Sequence, residues 1–337
     1  MYRSIARVPL VHRFTPRAPR RRGLVAALAL ALSLTLAACG GGNSPATTSE
    51  GTTAVKVGVI PIIDVAPIYL GINKGFFKEQ GLDVSLETAQ GGAAIVPGVM
   101  SGQYQFGFSN TISLLLAQSQ GLPVKAVSAG VASTGVVGKD FGAVVVPANS
   151  PIKSAADLAG KRVAVNTLKN INTTTVNNVV RAAGGDPAGI KYVELPFQDI
   201  PAAIARGDVD AGQVVEPFLT IATQQGNRQV TSNYAGTDPN LAVALYFTSK
   251  QFAQQNPKAA QGFTAAMQKS LAYAQEHPDE ARGVLNSYTK IDPAVQSAMT
   301  LPKWPTEIDK ASVQKLADLA QQDGLLTKAP DVAGLLP

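Results

Sequence analysis

Cysteine and histidine are almost absent from this chain of 337 residues: there is one Cys, Cys39, and there are two His. With no thiol beyond Cys39, disulfides, zinc-thiolate sites and cysteine nucleophiles are all excluded from the rest of the chain. The only His after Cys39 is His277, which precedes Pro278 at a helix junction and reads as a surface residue. Acidic residues are missing before Glu50, and charged residues make up only 15% of the whole. The longest uncharged apolar run, Gly23–Leu36, has 14 residues, fewer than the roughly 20 that a membrane-spanning helix needs. Enzyme signatures are missing as well. There is no HExxH, no GxxxxGK[ST] and no GxGxxG after the first strand, and Gly107-Phe108-Ser109-Asn110-Thr111 lacks the last glycine of a GxSxG elbow. Asp208 and Asp210 form a carboxylate pair, but in a loop before a strand, where solvation is the default. What is abundant is apolar surface: 45% of residues are hydrophobic. At about twice the ~150-residue single-domain length, the chain should bury a sizeable core in two lobes.

The formal charge of +6 is unevenly placed. Arg3, Arg7, Arg13, Arg17, Arg20, Arg21 and Arg22 precede the apolar run, and small residues follow it. A basic segment, a short apolar core and small residues before a cleavage point make a secretory signal over residues 1–38. Arg21-Arg22-Gly23-Leu24-Val25 loosely resembles a twin-arginine motif, although an Arg-rich leader for the general pathway is the simpler reading. Leu36-Ala37-Ala38-Cys39 resembles the bacterial lipobox, which implies cleavage before Cys39 and diacylglyceryl modification of its sulfur. The remaining 299 residues hold 22 Lys and Arg against 23 Asp and Glu, a net charge of −1. Nucleic acid is thereby excluded as a partner, since phosphate-tracking proteins need clustered cations in the folded part. Residues 39–53, rich in Gly, Ser and Thr, read as a flexible lipid tether.

From Val55 onward, apolar strands alternate with helices. Strands are expected at VKVGVI, Asp83–Thr88, Gln105–Ser109, Val124–Ser128 and Ala143–Val146, and helices at Ala66–Lys74, Ala93–Ser101 and Thr111–Gln120. Ser154 with Asp157 makes a capping-box start to a second series, which runs to Gln229–Thr231. After the strand AVALYFT only helical sequence follows. The alternation predicts an α/β protein with parallel sheets and right-handed crossovers. The chain should leave the first lobe near Val144–Ser150 and return near Leu241–Ser249. One lobe would then hold residues 54–147 plus 244–337, and the other residues 148–243.

In such sheets ligands sit outside the carboxyl ends of the strands, at helix N-termini. Those turns supply the candidate binding residues Asp64, Gly91, Gly92, Ser109, Asn110, Thr111, Thr167, Lys169, Asn170, Asn172 and Glu216. Each also has a plain structural reading: Ser109, Asn110 and Thr111 as helix caps, Gly91-Gly92 as a turn, and Glu216 before Pro217 as a cap or a solvated acid. Arg162, Arg181, Arg206, Arg228 and Arg282 lie outside these turns, so an anion would rely on Lys169 and helix N-termini, whereas Asp64 and Glu216 point to an amine.

The ordered segments VKVGVIPIIDVAPIYLGINKGFFKEQGLDVSLETAQGG, SGQYQFGFSN, SPIKSAADLAGKRVAV, ARGDVDAGQVVEPF and NPKAAQGFTAAM resemble the extracytoplasmic solute-binding proteins of ABC importers, in the nitrate, sulfonate, taurine and thiamine-pyrimidine-precursor branch. The resemblance implies a periplasmic-binding-protein-like fold, with two lobes joined by a two-strand hinge and a helical C-terminal tail. It also implies a monomer, lipid-anchored outside the membrane through Cys39, which captures a small organic anion or zwitterion and delivers it to an ABC permease and its ATPase. A thiamine-precursor pyrimidine, another small heterocycle or aromatic acid, or a sensor role for the same fold are the alternatives. Neither a cofactor nor a metal is implied. Where many relatives have an aromatic residue shortly before the acidic-Pro motif, this chain has Gln213. The fungal pyrimidine synthases of the branch carry a Cys- and His-rich signature that is missing here, which argues against an enzyme.

Overall fold

The computed structural model describes residues 51–337; the expected leader, Cys39 and most of the tether lie outside the described residues. The first series runs β1 (Thr53–Val59), α1 (Ala66–Asn73), β2 (Leu82–Thr88), α2 (Gly92–Met100), β3 (Phe106–Asn110), α3 (Thr111–Ser119) and β4 (Val124–Ala132). The second runs β5 (Gly142–Pro147), β6 (Arg162–Val165), α4 (Ile171–Ala182), β7 (Lys191–Glu194), α5 (Ile200–Ala205), β8 (Ala211–Val215), α6 (Phe218–Gln224) and β9 (Asn227–Thr231). The chain closes with β10 (Ala242–Ser249), α7 (Lys250–Gln255), α8 (Pro257–Glu276), α9 (Pro278–Gly283), α10 (Pro293–Ala298), α11 (Lys310–Gln322) and α12 (Val332–Leu335). Among the described residues no helix is long and apolar enough to cross a membrane.

Two five-stranded sheets result, ordered β2-β1-β3-β10-β4 and β7-β6-β8-β5-β9. They share one plan. In each, strands of the sheet's own βα series pair in parallel, while the strand that arrives from the other sheet is inserted antiparallel: β10 between β3 and β4, and β5 between β8 and β9. The sheets are therefore mixed, and the expectation of wholly parallel sheets is corrected at these two strands. β5 also moves the first crossing. The apolar run Ala143–Val146 continues the rhythm of the first series, yet it pairs with β8 and β9, so the chain changes sheets between β4 and β5, over residues 133–141, and not after residue 147. The return falls between β9 and β10, over residues 232–241. The capping box at Ser154 is present and starts a 3-10 turn, Ala155–Leu158.

Because both exchanges occur at the carboxyl ends of β4 and β9, the carboxyl ends of the parallel strands in both sheets face the crossings. Behind the first sheet, α8 lies over an aromatic layer in which Phe106 stacks on Phe263 at 3.9 Å and meets Phe252 edge-on at 5.4 Å. Gly71 lets α1 approach α8 closely. A Cβ there would fall inside the Ser270 hydroxyl and 2.9 Å from the Phe77 ring. Alanine in mid-helix gains up to about 1 kcal/mol in propensity, but overpacking of about 1–3 kcal/mol outweighs it. Gly71→Ala is expected to lower stability in urea unfolding by about 1–2 kcal/mol; an unchanged or raised midpoint would show that the α1–α8 approach tolerates a methyl group.

Candidate functional site

The two crossings are tied together by Asp140, which is 0% exposed. Its Oδ2 accepts hydrogen bonds from the Ser133 hydroxyl (2.8 Å) and from the amide of Ala235 in the opposite crossing (2.9 Å). Its Oδ1 accepts from the Thr134 amide (2.9 Å), the Thr134 hydroxyl (3.1 Å) and the Phe141 amide (3.0 Å). The Ser133 amide donates to the Leu241 carbonyl at 3.0 Å, and the Gly138 amide to the Ser232 hydroxyl at 2.9 Å. The expected two-strand hinge is thus a pair of short segments bound side by side by three hydrogen bonds, one of them to the Asp140 carboxylate.

Asp64 sits close enough to Asp140 for the two charges to repel. It lies in the 3-10 turn Ile63–Val65 after β1 and is 3% exposed, and its Oδ1 has no hydrogen-bond partner. The neighbourhood is polar, with hydrogen-bonding groups left unused. The Tyr246 hydroxyl on β10 and Gln213 Oε1 on β8 are also buried without partners. Tyr234, Tyr246 and Tyr288 all feel the Asp64 charge, and burial pushes each of their hydroxyls well above the usual tyrosine range. On the far side the Tyr234 hydroxyl donates to Asn172 Oδ1 at 2.6 Å, and Asn172 Nδ2 donates to Asn166 Oδ1 at 2.7 Å. Burial raises the Asp64 carboxyl to about 7, aided by the Asp140 charge and opposed by its own backbone N–H.

Outside this interior lies a cleft of about 300 Å³ at the strand ends of both sheets. Ile60, Ile62, Ala89 and Gln90 come from the first sheet, Phe197, Gln198 and Phe218 from the second, and Tyr288 from the C-terminal tail. The Phe197 and Phe218 rings are parallel within 12° at 6.3 Å. Tyr288 joins cleft and interior: its ring stacks on Tyr69 at 4.0 Å and its hydroxyl donates to the Ile62 carbonyl at 3.1 Å.

The expected site residues divide into groups. Asp64 and Asn172 belong to the interior. Gly91 abuts Thr167 across the two sheets, where a Cβ would come within 3.1 Å of the Thr167 hydroxyl. Gly92 cannot carry a side chain, because its Cβ would lie 2.8 Å from the Ser109 Cα. Asn110 and Asn170 cap α3 and α4 by accepting from the Ser113 and Ile171 amides. Both also donate to one acceptor, the Ser113 hydroxyl, at 3.1 and 2.8 Å, so the two caps form a bridge between the sheets. Thr111 ties α3 to β10 by donating to the Ala242 carbonyl.

Two residues are placed otherwise than their ligand role requires. Lys169 is exposed with φ 51°, and it lines a separate groove with α2 and α3 that shares no wall residue with the aromatic cleft. Its loop turns the side chain outward as Asn170 turns inward to cap. Glu216, 1% exposed, has its carboxylate taken up by the Thr220 amide (3.0 Å), the Thr220 hydroxyl (2.9 Å) and the Thr300 amide (3.1 Å). Burial nonetheless raises it to about 7, against those donors and the Arg282 charge. Sequence reasoning missed Asp140, Tyr234, Tyr246 and Tyr288. The one available signal was the phenol of Tyr246 inside the otherwise apolar run Ala242–Phe247. Among the described residues no group of three or more His, Cys, Asp or Glu could hold a metal ion.

The unpartnered Asp64 carboxyl has a stability cost with a definite pH dependence. Its folded value of about 7 lies above the unfolded value of 3.8, so the folded state holds the proton more tightly. Stability therefore falls as pH rises from about 4 to about 7 and levels off above that. Asp64→Asn is expected to be more stable than the parent by about 1–3 kcal/mol at pH 8, with the gain shrinking toward pH 4. Chemical unfolding at several pH values tests this; a gain independent of pH would show that the carboxyl is not the cause.

Comparison with known proteins follows the same lines. The family described as NMT1/THI5 like matches residues 62–281. A putative aliphatic sulfonates-binding protein of Escherichia coli is 27% identical over 200 residues, which cover 56% of this chain and 60% of that protein's length. A 4-amino-5-hydroxymethyl-2-methylpyrimidine phosphate synthase of Candida albicans is 22% identical over 256 residues, 71% of this chain and 70% of that one. Among solved structures, the periplasmic aliphatic sulphonate-binding protein SsuA of Escherichia coli superimposes with a TM-score of 0.69 at 22% identity, over 84% of this chain and 96% of that chain, a likeness of fold. The two-sheet plan, the crossings and the match over residues 62–281 together place the chain in the NMT1/THI5-like family.

Proposed function

We propose that this protein is the solute-capturing component of an ABC importer, held outside the membrane by lipid on Cys39, which delivers a small organic ligand to a permease and its ATPase. The observation that carries this reading is the cleft of about 300 Å³ walled by strand ends of both sheets. Ligand sites of α/β proteins lie at carboxyl strand ends and between lobes. Here a small molecule would touch both sheets at once, and binding would favour the closed arrangement of two lobes joined by the 133–141 and 232–241 crossings. The Phe197 and Phe218 rings on the cleft wall are proposed to meet it first; Asp64, Gly91, Thr167 and Asn172, which do not line that cleft, are proposed to meet the part of a ligand that reaches past its wall between the facing strand ends, and Gly92 and Ser109 to shape the turn beneath. The Asn110–Ser113–Asn170 bridge would hold the closed form. A zwitterion of the taurine type suits a site with an acid inside and helix N-termini around it. The parallel Phe197 and Phe218 rings favour, as a second reading, a planar heterocycle such as a thiamine-precursor pyrimidine. Binding and not synthase activity is the reading favoured here, because relatives named as binding proteins include the sulfonate-binding ones in sequence and in fold.

A panel of sulfonates, nitrate, aromatic carboxylates, amines and aminopyrimidines, scanned by thermal unfolding, is expected to contain a stabilising compound. The gain at 100 times Kd is about 2.7 kcal/mol. A panel without any stabilising member, together with turnover of one of them, would overturn the binding reading.

A further inference from the structure

Helix α4 packs into the core of the second sheet through Val176, Val179 and Val180. Another of its faces is joined along its length to parts of the chain outside that sheet: Asn170, Asn177, Asn178 and Arg181 recur at the spacing of a single helix face. Asn170 donates to the Ser113 hydroxyl on α3 at 2.8 Å, and Asn178 to the Thr237 hydroxyl in the return crossing at 3.2 Å. Asn177 donates to Asp323 Oδ2 at 2.9 Å, and the Arg181 guanidinium pairs with Asp323 Oδ1. The Tyr192 hydroxyl on β7 donates to Asn177 Oδ1 at 2.7 Å and so turns the Asn177 amide toward Asp323. Asp323 ends α11, which packs on α3 and is tied to β10 where the Ala242 amide donates to the Ser312 hydroxyl at 2.8 Å. The Asp323 side chain is only 5% exposed, and both groups it accepts from are on α4.

Two properties make this seam a clasp and not a permanent weld. It is polar, built from amides, hydroxyls and an ion pair, so it can part into water without exposing core, as do the interfaces between domains that move. It is also remote from the cleft: none of these residues lines the aromatic cavity, so the contacts need nothing from a solute. The Asp323 link is charge-assisted and mostly shut away from water, which makes it the strongest of the set and the least screened by salt.

We infer that the seam between α4 and α11, with Asp323 as its charged member, is a solute-independent clasp that populates the closed arrangement before a solute arrives. The inference rests on the solute-capture reading above, and capture then selects a form already present. The clasp sets how often the cleft is closed, and the cleft wall sets what it takes.

Gln120 and Leu168 are exposed on opposite walls of the groove that Lys169 lines. A chain with Cys39→Ser, Gln120→Cys and Leu168→Cys, carrying two nitroxides and dialysed exhaustively, reports the seam by pulsed dipolar spectroscopy. The parent is expected to show a short-distance population beside a longer one. Asp323→Asn and Arg181→Gln should each cut the ratio of short to long about fivefold, and the double variant no further than either single one, because both substitutions remove the same link. Lys315→Gln, which removes an exposed ion pair with Asp238, should leave the ratio unchanged. A parent without a short-distance population would overturn the inference. So would a short-distance population that survives both substitutions while urea unfolding shows them destabilising, since the link would then serve stability alone. No solute takes part in this measurement, so either result leaves solute capture to be decided by the thermal panel.

Discussion

The interaction on which the rest of the structure depends is the set of five hydrogen bonds at Asp140. The chain passes from one sheet to the other and back, and each passage ends in an antiparallel strand inserted into the sheet it enters. For both insertions to hold register, residues 133–141 and 232–241 must lie side by side. The link from Asp140 Oδ2 to the Ala235 amide fixes them there. Burying a carboxylate is costly, and charge-assisted hydrogen bonds of about 1.5–3 kcal/mol each offset that cost. The net stabilisation is modest, but the geometry is specific: four donors from its own crossing hold the carboxylate in place, and the fifth, the Ala235 amide, reaches it only when the opposite crossing lies alongside.

From that constraint the site follows. With the crossings paired, the carboxyl ends of β1, β2 and β3 confront those of β6, β7 and β8, and the turns after them become the facing walls. Gly91 and Thr167 meet there, as do the Asn110 and Asn170 caps through Ser113. Asp64 is brought near Asp140, and the repulsion between them adds to its burial penalty. The fold thus places one satisfied carboxylate beside one unsatisfied one. The first serves the architecture, and the second stores an unmet interaction of the kind that binding sites retain at the expense of stability.

Much of this was legible in the sequence. Apolar runs bounded by Gly, Asn and Pro located most of the strands and helices within a residue or two, because in βα units burial pattern and turn chemistry coincide; β4 runs four residues past the expected Ser128, and α7 and α12 were not expected. The resemblance to solute-binding proteins fixed the plan of two lobes with a hinge. What was not legible was decided by pairing at a distance. Ala143–Val146 reads as the next strand of the first series, and only its partners β8 and β9 show that it belongs to the second sheet. Nothing local to Asp140 announces that Ala235, 95 residues later, will donate to its carboxylate. Glu216 and Asp64 are both acids in strand-end turns, and sequence could not tell them apart. Thr220 and Thr300 supply donors to Glu216, and nothing supplies one to Asp64 Oδ1. Lys169 was expected to face an anion, but helix capping by its neighbour Asn170 turns it outward.

The central claim is that two lobes, held at paired crossings, close on a small molecule at their facing strand ends. Gln90 and Gln198 are exposed and stand on opposite walls of the cleft. Since Cys39 is the only cysteine, a chain with Cys39→Ser, Gln90→Cys and Gln198→Cys carries a single label pair. Single-molecule energy transfer between those labels reads the cleft width directly. A compound that raises the melting temperature should shorten and narrow the distance distribution; a stabilising compound that leaves the distribution unchanged would contradict the account.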